Sequence, residues 1–315
     1  MFEKRQLDQA FQDAAVLPLS ASSRYALFSD CHRGNGLTGD NFLKNQHLYA
    51  AALRYYYEND FTYIELGDGD ELWENRSFSS IKEAHASTFQ MLARFYEDQR
   101  LYLLYGNHDM SKRSHRFSMQ CNSFHPCITC RKEPLFPGIR FHSGLVLKNQ
   151  EPGPDLYLTH GHQADFLNSV LWRQARFLVR YLWSPLERVG FLDPSDPSRK
   201  NKKKERIEKS LSGWARANQC ILVAGHTHRP VLEASSCYYN TGSCVRPGYI
   251  TCIEISQLTA TLIKWTIGIR TDLSLSVSRE ILAGPVSLKD CGCFPGRPPL
   301  LPCKKICNPV LNMLP

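Results

Sequence analysis

The side chains able to do chemistry in this 315-residue chain are carboxylates and imidazoles, and they arrive in short polar blocks. Asp30-Cys31-His32 comes first. Alternate residues of an extended chain point the same way, so Asp30 and His32 can face one divalent ion together. Gly67-Asp68-Gly69-Asp70-Glu71 then packs three carboxylates into one turn. Such carboxylates repel one another; either a cation gathers them or water solvates them as an ordinary acidic turn. Gly106-Asn107-His108-Asp109, His160, His162 and Gly225-His226-Thr227-His228 complete the set. Asp30, His32, Asp68, Asn107, His108, His160, His226 and His228 offer oxygen and imidazole nitrogen without thiolate, a donor set suited to Mn, Fe or Zn rather than Ca. These are too many ligands for one ion. They suit two ions sharing a carboxylate, about 3.5–4 Å apart as in two-metal hydrolytic sites.

Each block follows an apolar run that reads as a buried strand: Tyr25–Asp30, Thr62–Asp68, Arg100–Asn107, Asp155–His160 and Cys220–His228. Helical spacing fills the gaps. One helix is expected over Asn41–Glu58, capped by Asp40, and another starts at Ser80, which forms a capping box with Glu83. Strand, helix and strand in alternation imply an α/β fold whose parallel strands end along one edge, so Asp30, Asp68 and Asn107 should converge. Later segments, Tyr238–Ser243, Tyr249–Ser256 and Thr259–Gly268, alternate like antiparallel strands. From residue 283 onward, Pro, Gly and Cys dominate and an irregular tail is expected.

A hydrophobic content of 43%, a charged content of 22% and a mean hydropathy of -0.35 are ordinary for a soluble protein with a sizeable core. No apolar run approaches the roughly 20 residues that span a bilayer. The N-terminal residues lack the apolar core of an export signal, which predicts a cytoplasmic protein. The twelve cysteines are then expected as thiols or metal ligands rather than disulfides. Cys127-x-x-Cys130, beside Cys121, and a second group, Cys291, Cys293, Cys303 and Cys307, offer spacing for a structural zinc. The net charge of +8 is uneven: Trp172–Lys209 holds eleven Lys/Arg against five Asp/Glu. That segment reads as two basic helices, one from Gln163 to about Gly190 and one from Arg199 to Asn218, with Trp172, Phe177, Tyr181 and Trp183 among the charges. Such a mixture suits an anionic partner: a phosphorylated substrate, a membrane surface or a nucleic acid.

The five ordered blocks resemble the calcineurin-like metallophosphoesterase family, whose pattern D-x-H, GD-x-x-D/E, GNH-D/E, H and GH-x-H is matched in order from Asp30 to His228. The resemblance implies a four-layer α/β/β/α metallophosphoesterase sandwich over 20–282, with a helical insertion at 163–218 and a Cys/Pro-rich appendage at 283–315. It implies two divalent ions, Mn²⁺ first, with Fe or Zn as alternatives. Asp30, His32, Asp68 and His228 would hold one ion; Asp68, Asn107, His160 and His226 would hold the other. A hydroxide between the ions would attack phosphorus in a phosphate ester or pyrophosphate. His108, steered by Asp109, would contact the phosphate or protonate the leaving oxygen. Glu71 would support from behind the ligands, His162 would be an outer contact, and Arg229 would lie near the substrate. Asp70 has no family role.

GDGDELW and GHTHRP are similar to the UDP-2,3-diacylglucosamine hydrolase branch, which carries a helical insertion at the same place over an acyl-bearing substrate; His108 stands where that branch usually has Arg. The branch implies a lipid-linked substrate and residence at the inner face of the membrane through 172–209, with Trp73 beside the substrate. A phosphorylated small molecule, a nucleic acid and a Ser/Thr phosphoprotein stay open as substrates. So does a metal-binding interaction scaffold without catalysis, against which the complete ligand set argues.

Overall fold

Buried apolar residues alternate along the central strands, so each strand feeds two different cores. In the computed structural model, which describes residues 2–37, 39–124, 132–183 and 197–289, Tyr63 faces helices while Ile64 faces a second sheet. The chain opens with α1 (Phe2–Phe11), β1 (Ala15–Leu19) and β2 (Arg24–Phe28). Then come α2 (Gln46–Glu58), β3 (Thr62–Leu66), α3 (Phe78–Ala84), α4 (Ala86–Glu97) and β4 (Leu101–Leu104). Short pieces follow: α5 (His115–Ser118), β5 (Ser123–Phe124), β6 (Glu133–Pro134) and β7 (Phe141–His142). Beyond them lie β8 (Gly144–Asn149), β9 (Leu156–Thr159), α6 (Phe166–Ser169), α7 (Trp172–Leu178) and α8 (Pro197–Ala217). The chain finishes with β10 (Ile221–Ala224), β11 (Tyr238–Asn240), β12 (Tyr249–Ser256), β13 (Thr259–Ile269) and β14 (Leu275–Ser287).

Two sheets result, ordered β1-β8-β9-β10-β11 and β14-β13-β12-β2-β3-β4-β7. Within the second sheet β2, β3, β4 and β7 run parallel; within the first, β9, β10 and β11 do. Between the sheets lies an aliphatic layer that includes Leu27, Ile64, Leu66 and Ile253 from one side and Leu147, Leu158, Ile221 and Val223 from the other. The aromatic layer under α2 and α4 covers the outer face of the seven-stranded sheet. Leu7 of α1 and Ile207, Leu211 and Trp214 of α8 cover the outer face of the five-stranded one. The architecture is therefore the expected four-layer α/β/β/α sandwich.

Local expectations shift in instructive ways. Asp40 does not cap α2, whose N-cap is Asn45 without a side-chain bond; its carboxylate accepts from the Phe42 N–H at 3.1 Å, just ahead of a 3₁₀ turn (Leu43–Asn45), and pairs with His85 Nε2 at 2.7 Å. Ser77, not Ser80, caps α3, accepting from the Ser80 N–H. The long helix expected from Gln163 is broken into a 3₁₀ turn, α6, α7 and a π turn (Val179–Trp183). β11 pairs parallel with β10 rather than antiparallel with β12. β14 extends past the expected boundary at 282 to Ser287, while α1 and β1 precede the one at 20. Pro285 and Gly284 hide β14 from a sequence reading, and an edge strand is where a sheet tolerates them. The cysteine pair Cys127/Cys130 and the Cys291–Cys307 group lie outside the described residues. Cys31, Cys121, Cys220, Cys237, Cys244 and Cys252 are buried free thiols.

Candidate metal centre

Every polar block sits at the C-terminal end of a parallel strand: Asp30 after β2, Asp68 after β3, Asn107 after β4, His160 after β9 and His226 after β10. Past the strand ends the ladder continues as single backbone bonds. Asp30 N–H donates to Gly67 O (3.1 Å), His32 N–H to Asp68 O (2.9 Å) and Arg33 N–H to Gly69 O (3.0 Å). Side chains lock the remaining ends: the Asp30 carboxylate accepts from the His226 N–H (2.9 Å) and the Asp68 carboxylate from the His108 N–H (2.8 Å). Asp30, His32, Asp68, His226 and His228 all adopt positive φ, between 47° and 67°. Non-glycine residues rarely do so, and a group of them at one place marks a functional site. Gly106 is required by close approach: a Cβ there would fall 2.1 Å from Asp68 Oδ1.

Three groups of donors converge, with the atoms of each within 4.8 Å of one another: the two ligand groups Asp30/His32/His228 and Asp68/His160/His226, and beside them His32/Glu71/His108. His32 Nε2 lies 3.8 Å from both Asp30 Oδ1 and Asp68 Oδ2 and so connects the groups. His228 Nε2 is 3.0 Å from Asp30 Oδ1, and His160 Nε2 is 3.1 Å from Asp68 Oδ2 and 3.2 Å from Asn107 Oδ1. His160 Nδ1 is held by the Leu66 carbonyl at 2.9 Å, which turns Nε2 inward as second partners of metal-bound histidines do. Asp30 Oδ1 and His32 Nε2 are buried and make no well-aligned hydrogen bond, the His228 imidazole being the one close contact of Asp30 Oδ1. Buried polar atoms are rarely left so; orphaned donors facing one another, with oxygen and imidazole only, fit divalent ions well.

The charges follow from this crowding. Burial alone would raise the Asp30 and Asp68 carboxyls, but the neighbouring imidazoles hold both well below the usual carboxylate range. Burial alone would lower His160, but Asp68 and Asp30 lift it from 6.5 to about 9. Its contribution to stability is thus complete below pH 6.5 and lost as pH rises through about 9. The Tm of chelator-treated protein should fall over that window. Added Mn²⁺, which takes neutral imidazole, should raise Tm most at the alkaline end; a rise independent of pH counts against His160 as a ligand.

His108 departs from expectation in its partner. Its Nδ1 meets Glu71, at 2.8 Å to Oε2, and His32 Nδ1 meets the same Oε2 at 2.9 Å. Trp73 is buried rather than turned to substrate; its indole stacks on His108 at 4.2 Å between centroids and donates to the Asn107 carbonyl. Asp109 does not steer His108. It accepts from the backbone N–H groups of Gly69 (3.0 Å) and Gly106 (2.6 Å), and it takes Lys112 Nζ at 2.6 Å. Lys112 also meets Asp70 (2.7 Å), and Asp70 takes Arg33 Nε (2.8 Å), whose guanidinium forks onto Glu65 at 2.7 and 2.9 Å. This buried five-residue network, which the sequence reading missed, sets the shape of the Asp68 loop.

His162 is buried with an unpartnered Nδ1; burial, with His160 and His226 beside it, keeps it neutral, its pKa well below the ordinary value. Its ring lies 5.4 Å from that of His160, outside both ligand groups. Asp165, absent from the sequence reading, has Oδ2 3.5 Å from His226 Nε2 and 2.7 Å from Lys203 Nζ. Arg229 turns to α8, 3.5 Å from Glu208 and 3.8 Å from Glu205.

The sequence profile of the calcineurin-like phosphoesterases matches residues 23–230. A solved structure, Vps29 of Chaetomium thermophilum, is similar over 84% of this chain and 97% of its own, at 10% identity and a TM-score of 0.34, and nothing further rests on that likeness. No curated protein sequence matches the chain. With more than half of the chain inside the family match, and all five ligand-bearing strand ends within it, this chain belongs to the calcineurin-like phosphoesterase family.

Proposed function

We propose that this chain is an active phosphoesterase working at two divalent ions, Mn²⁺ first among Mn, Fe and Zn. The observation that carries this reading is the pair of orphaned, buried donors, Asp30 Oδ1 and His32 Nε2, inside a complete ligand set. Asp30, His32, Asp68 and His228 would hold one ion and Asp68, Asn107, His160 and His226 the other. When bound, such ions supply a water acidic enough to ionise near neutrality and neutralise phosphoryl charge. The protein's own part is positional. Glu71 occupies His108 Nδ1, leaving Nε2 as the nitrogen that meets the phosphoryl group or returns a proton to the leaving oxygen. Trp73 fixes the plane of that ring from below. The backbone ladder past β2 and β3 holds the ligands without a flexible loop.

For the leaving group, a phosphorylated small molecule is the first reading. A lipid-linked pyrophosphate ester met at a membrane surface is the second. It draws on the insertion, where Phe166, Leu167, Phe177, Leu178 and Tyr181 are each more than half exposed beside Arg173 and Arg176. Arg180 pins this insertion to the Asp68 loop through the Trp73 (2.6 Å) and Leu72 (2.7 Å) carbonyls. No described helix is long and apolar enough to cross a membrane. The deciding experiment is a panel of aryl phosphomonoesters, phosphodiesters and pyrophosphates with Mn²⁺, with and without anionic vesicles. Hydrolysis that chelator removes, and that Glu71→Gln slows by roughly 10²- to 10⁴-fold, is expected. A fully metal-loaded protein inert to every phosphoester sinks the reading.

A further inference from the structure

Second partners decide which ring nitrogen of a ligand histidine is left for an ion. His160 Nδ1 is tied by the Leu66 carbonyl and His32 Nδ1 by Glu71, both at 2.9 Å. For His226 the outside partner is Asp165, whose Oδ2 lies 3.5 Å from Nε2. Asp165 is not among the donors that converge in groups of three, so it meets His226 from behind and does not join it as a ligand. It is 4% exposed and stands between the 3₁₀ turn at His162–Ala164 and α6. Its backbone is held on both sides: its N–H donates to the His162 carbonyl (2.9 Å) and its carbonyl accepts from the Ser169 N–H (2.8 Å). Its side chain makes no capping bond to α6. The oxygen that faces His226 instead takes Lys203 Nζ of α8 at 2.7 Å and Asn168 Nδ2 at 2.9 Å. One buried carboxylate thus stands between a ligand histidine and the insertion.

We propose that Asp165 is a positioning residue of the metal centre: it engages His226 through Nε2, leaves Nδ1 for the second ion, and links that ion's affinity to α8 through Lys203. The inference deepens the phosphoesterase reading and rests on its two-ion site. A carboxylate behind an imidazole fixes the ring and makes it a stronger ligand. Lys203 draws on the same oxygen from a side chain that is half exposed. With Lys203 in place, Asp165 gives His226 less of its charge. Removing Lys203 returns that charge to the histidine, so the two neighbours of Asp165 act on the ion with opposite signs.

Calorimetric titration of the metal-free protein with Mn²⁺ tests this without turnover. Asp165→Asn keeps the shape and removes the charge. It should weaken one of the two ion sites roughly 10- to 100-fold, the usual cost of losing a second partner of a ligand histidine, and leave the other as it is. Lys203→Ala should tighten that same site about 2- to 5-fold, the worth of a half-exposed ion pair, a gain that a merely structural role does not give. In the Asp165→Asn background Lys203→Ala should have no effect, because the coupling passes through the carboxylate. The proposal is overturned if Asp165→Asn weakens both sites equally or neither. It is also overturned if Lys203→Ala acts equally with and without Asp165, which is a plain field effect of the ammonium. Lys203 is exposed enough that its variant folds whatever Asp165→Asn does, and an unchanged Mn²⁺ affinity in it overturns the proposal by itself. A protein that hydrolyses phosphoesters yet fails this titration keeps its activity assignment and loses the role of Asp165. One that passes it while inert to every phosphoester does the reverse.

Discussion

Asp68→Asn should remove measurable phosphoester hydrolysis, a loss on the order of 10³-fold or more. Losing a single preorganised electrostatic contact already costs about 10²–10³ in rate, and Asp68 carries more than one. Its Oδ1 holds the His108 N–H at 2.8 Å, and its Oδ2 faces His160 at 3.1 Å and His32 at 3.8 Å. The amide keeps the shape, so the fold should survive: an oxygen can still accept from His108. The change removes the negative charge that both ligand groups face. Metal content measured alongside kcat should drop from two ions per chain to one or none. A variant with full metal content and near-native kcat would show that the bridging assignment is wrong.

Arg33→Met should cost the folded state about 3–5 kcal/mol, the usual penalty for breaking a buried ion pair by removing one partner. Arg33 is among the largest fully buried side chains, and its fork onto Glu65 and its Nε contact with Asp70 neutralise two carboxylates that water cannot reach. Lys112 alone cannot replace it, because its ammonium is already shared between Asp70 and Asp109. Urea unfolding of metal-free protein reads the loss directly. Adding Glu65→Leu to Arg33→Met should recover part of it, since one orphaned charge is gone. Arg33→Lys should not restore the parent, because a point charge cannot fork across Glu65 and reach Asp70 at once. A loss under about 1 kcal/mol for Arg33→Met would mean that the network is solvated rather than buried.

The strand ends were legible from sequence because each combines two independent signals: an apolar run that must be buried, and a polar residue immediately after it that must not be. Parallel order then brings Asp30, Asp68 and Asn107 together with little freedom left. Partners across the fold were not legible. Asp109 adjoins His108 in sequence, yet its side chain turns under the Asp68 loop, and Glu71, 37 residues earlier, takes the histidine. Arg33 and Lys112 follow strand ends in short loops, where nothing in the sequence names a partner. Only the folded chain places Glu65, on the helix-facing side of β3, within reach of Arg33. The clue available was Glu65 itself, a carboxylate amid a buried strand, which needs a cation wherever it lies. The broken insertion was missed because Leu167, Leu171, Leu178 and Leu182 repeat at helical spacing in the sequence, whereas the π turn that aims Arg180 at the Trp73 carbonyl has no sequence signature.

The left-handed backbone at Asp30, His32, Asp68, His226 and His228 narrows what can ever stand at those positions. Asp, Asn, His and Gly adopt that region most readily, whereas other side chains do so at a cost, as Leu258 and Leu273 do elsewhere in this chain. Three of those four are also residues that bind hard or intermediate ions. Codon-randomised libraries at these five sites will therefore return mostly other ligand types or glycine among folded clones. A drift towards an inert apolar site is disfavoured by the peptide geometry before catalysis is ever selected. The backbone acts as a filter on the alphabet, and the metal inherits what passes.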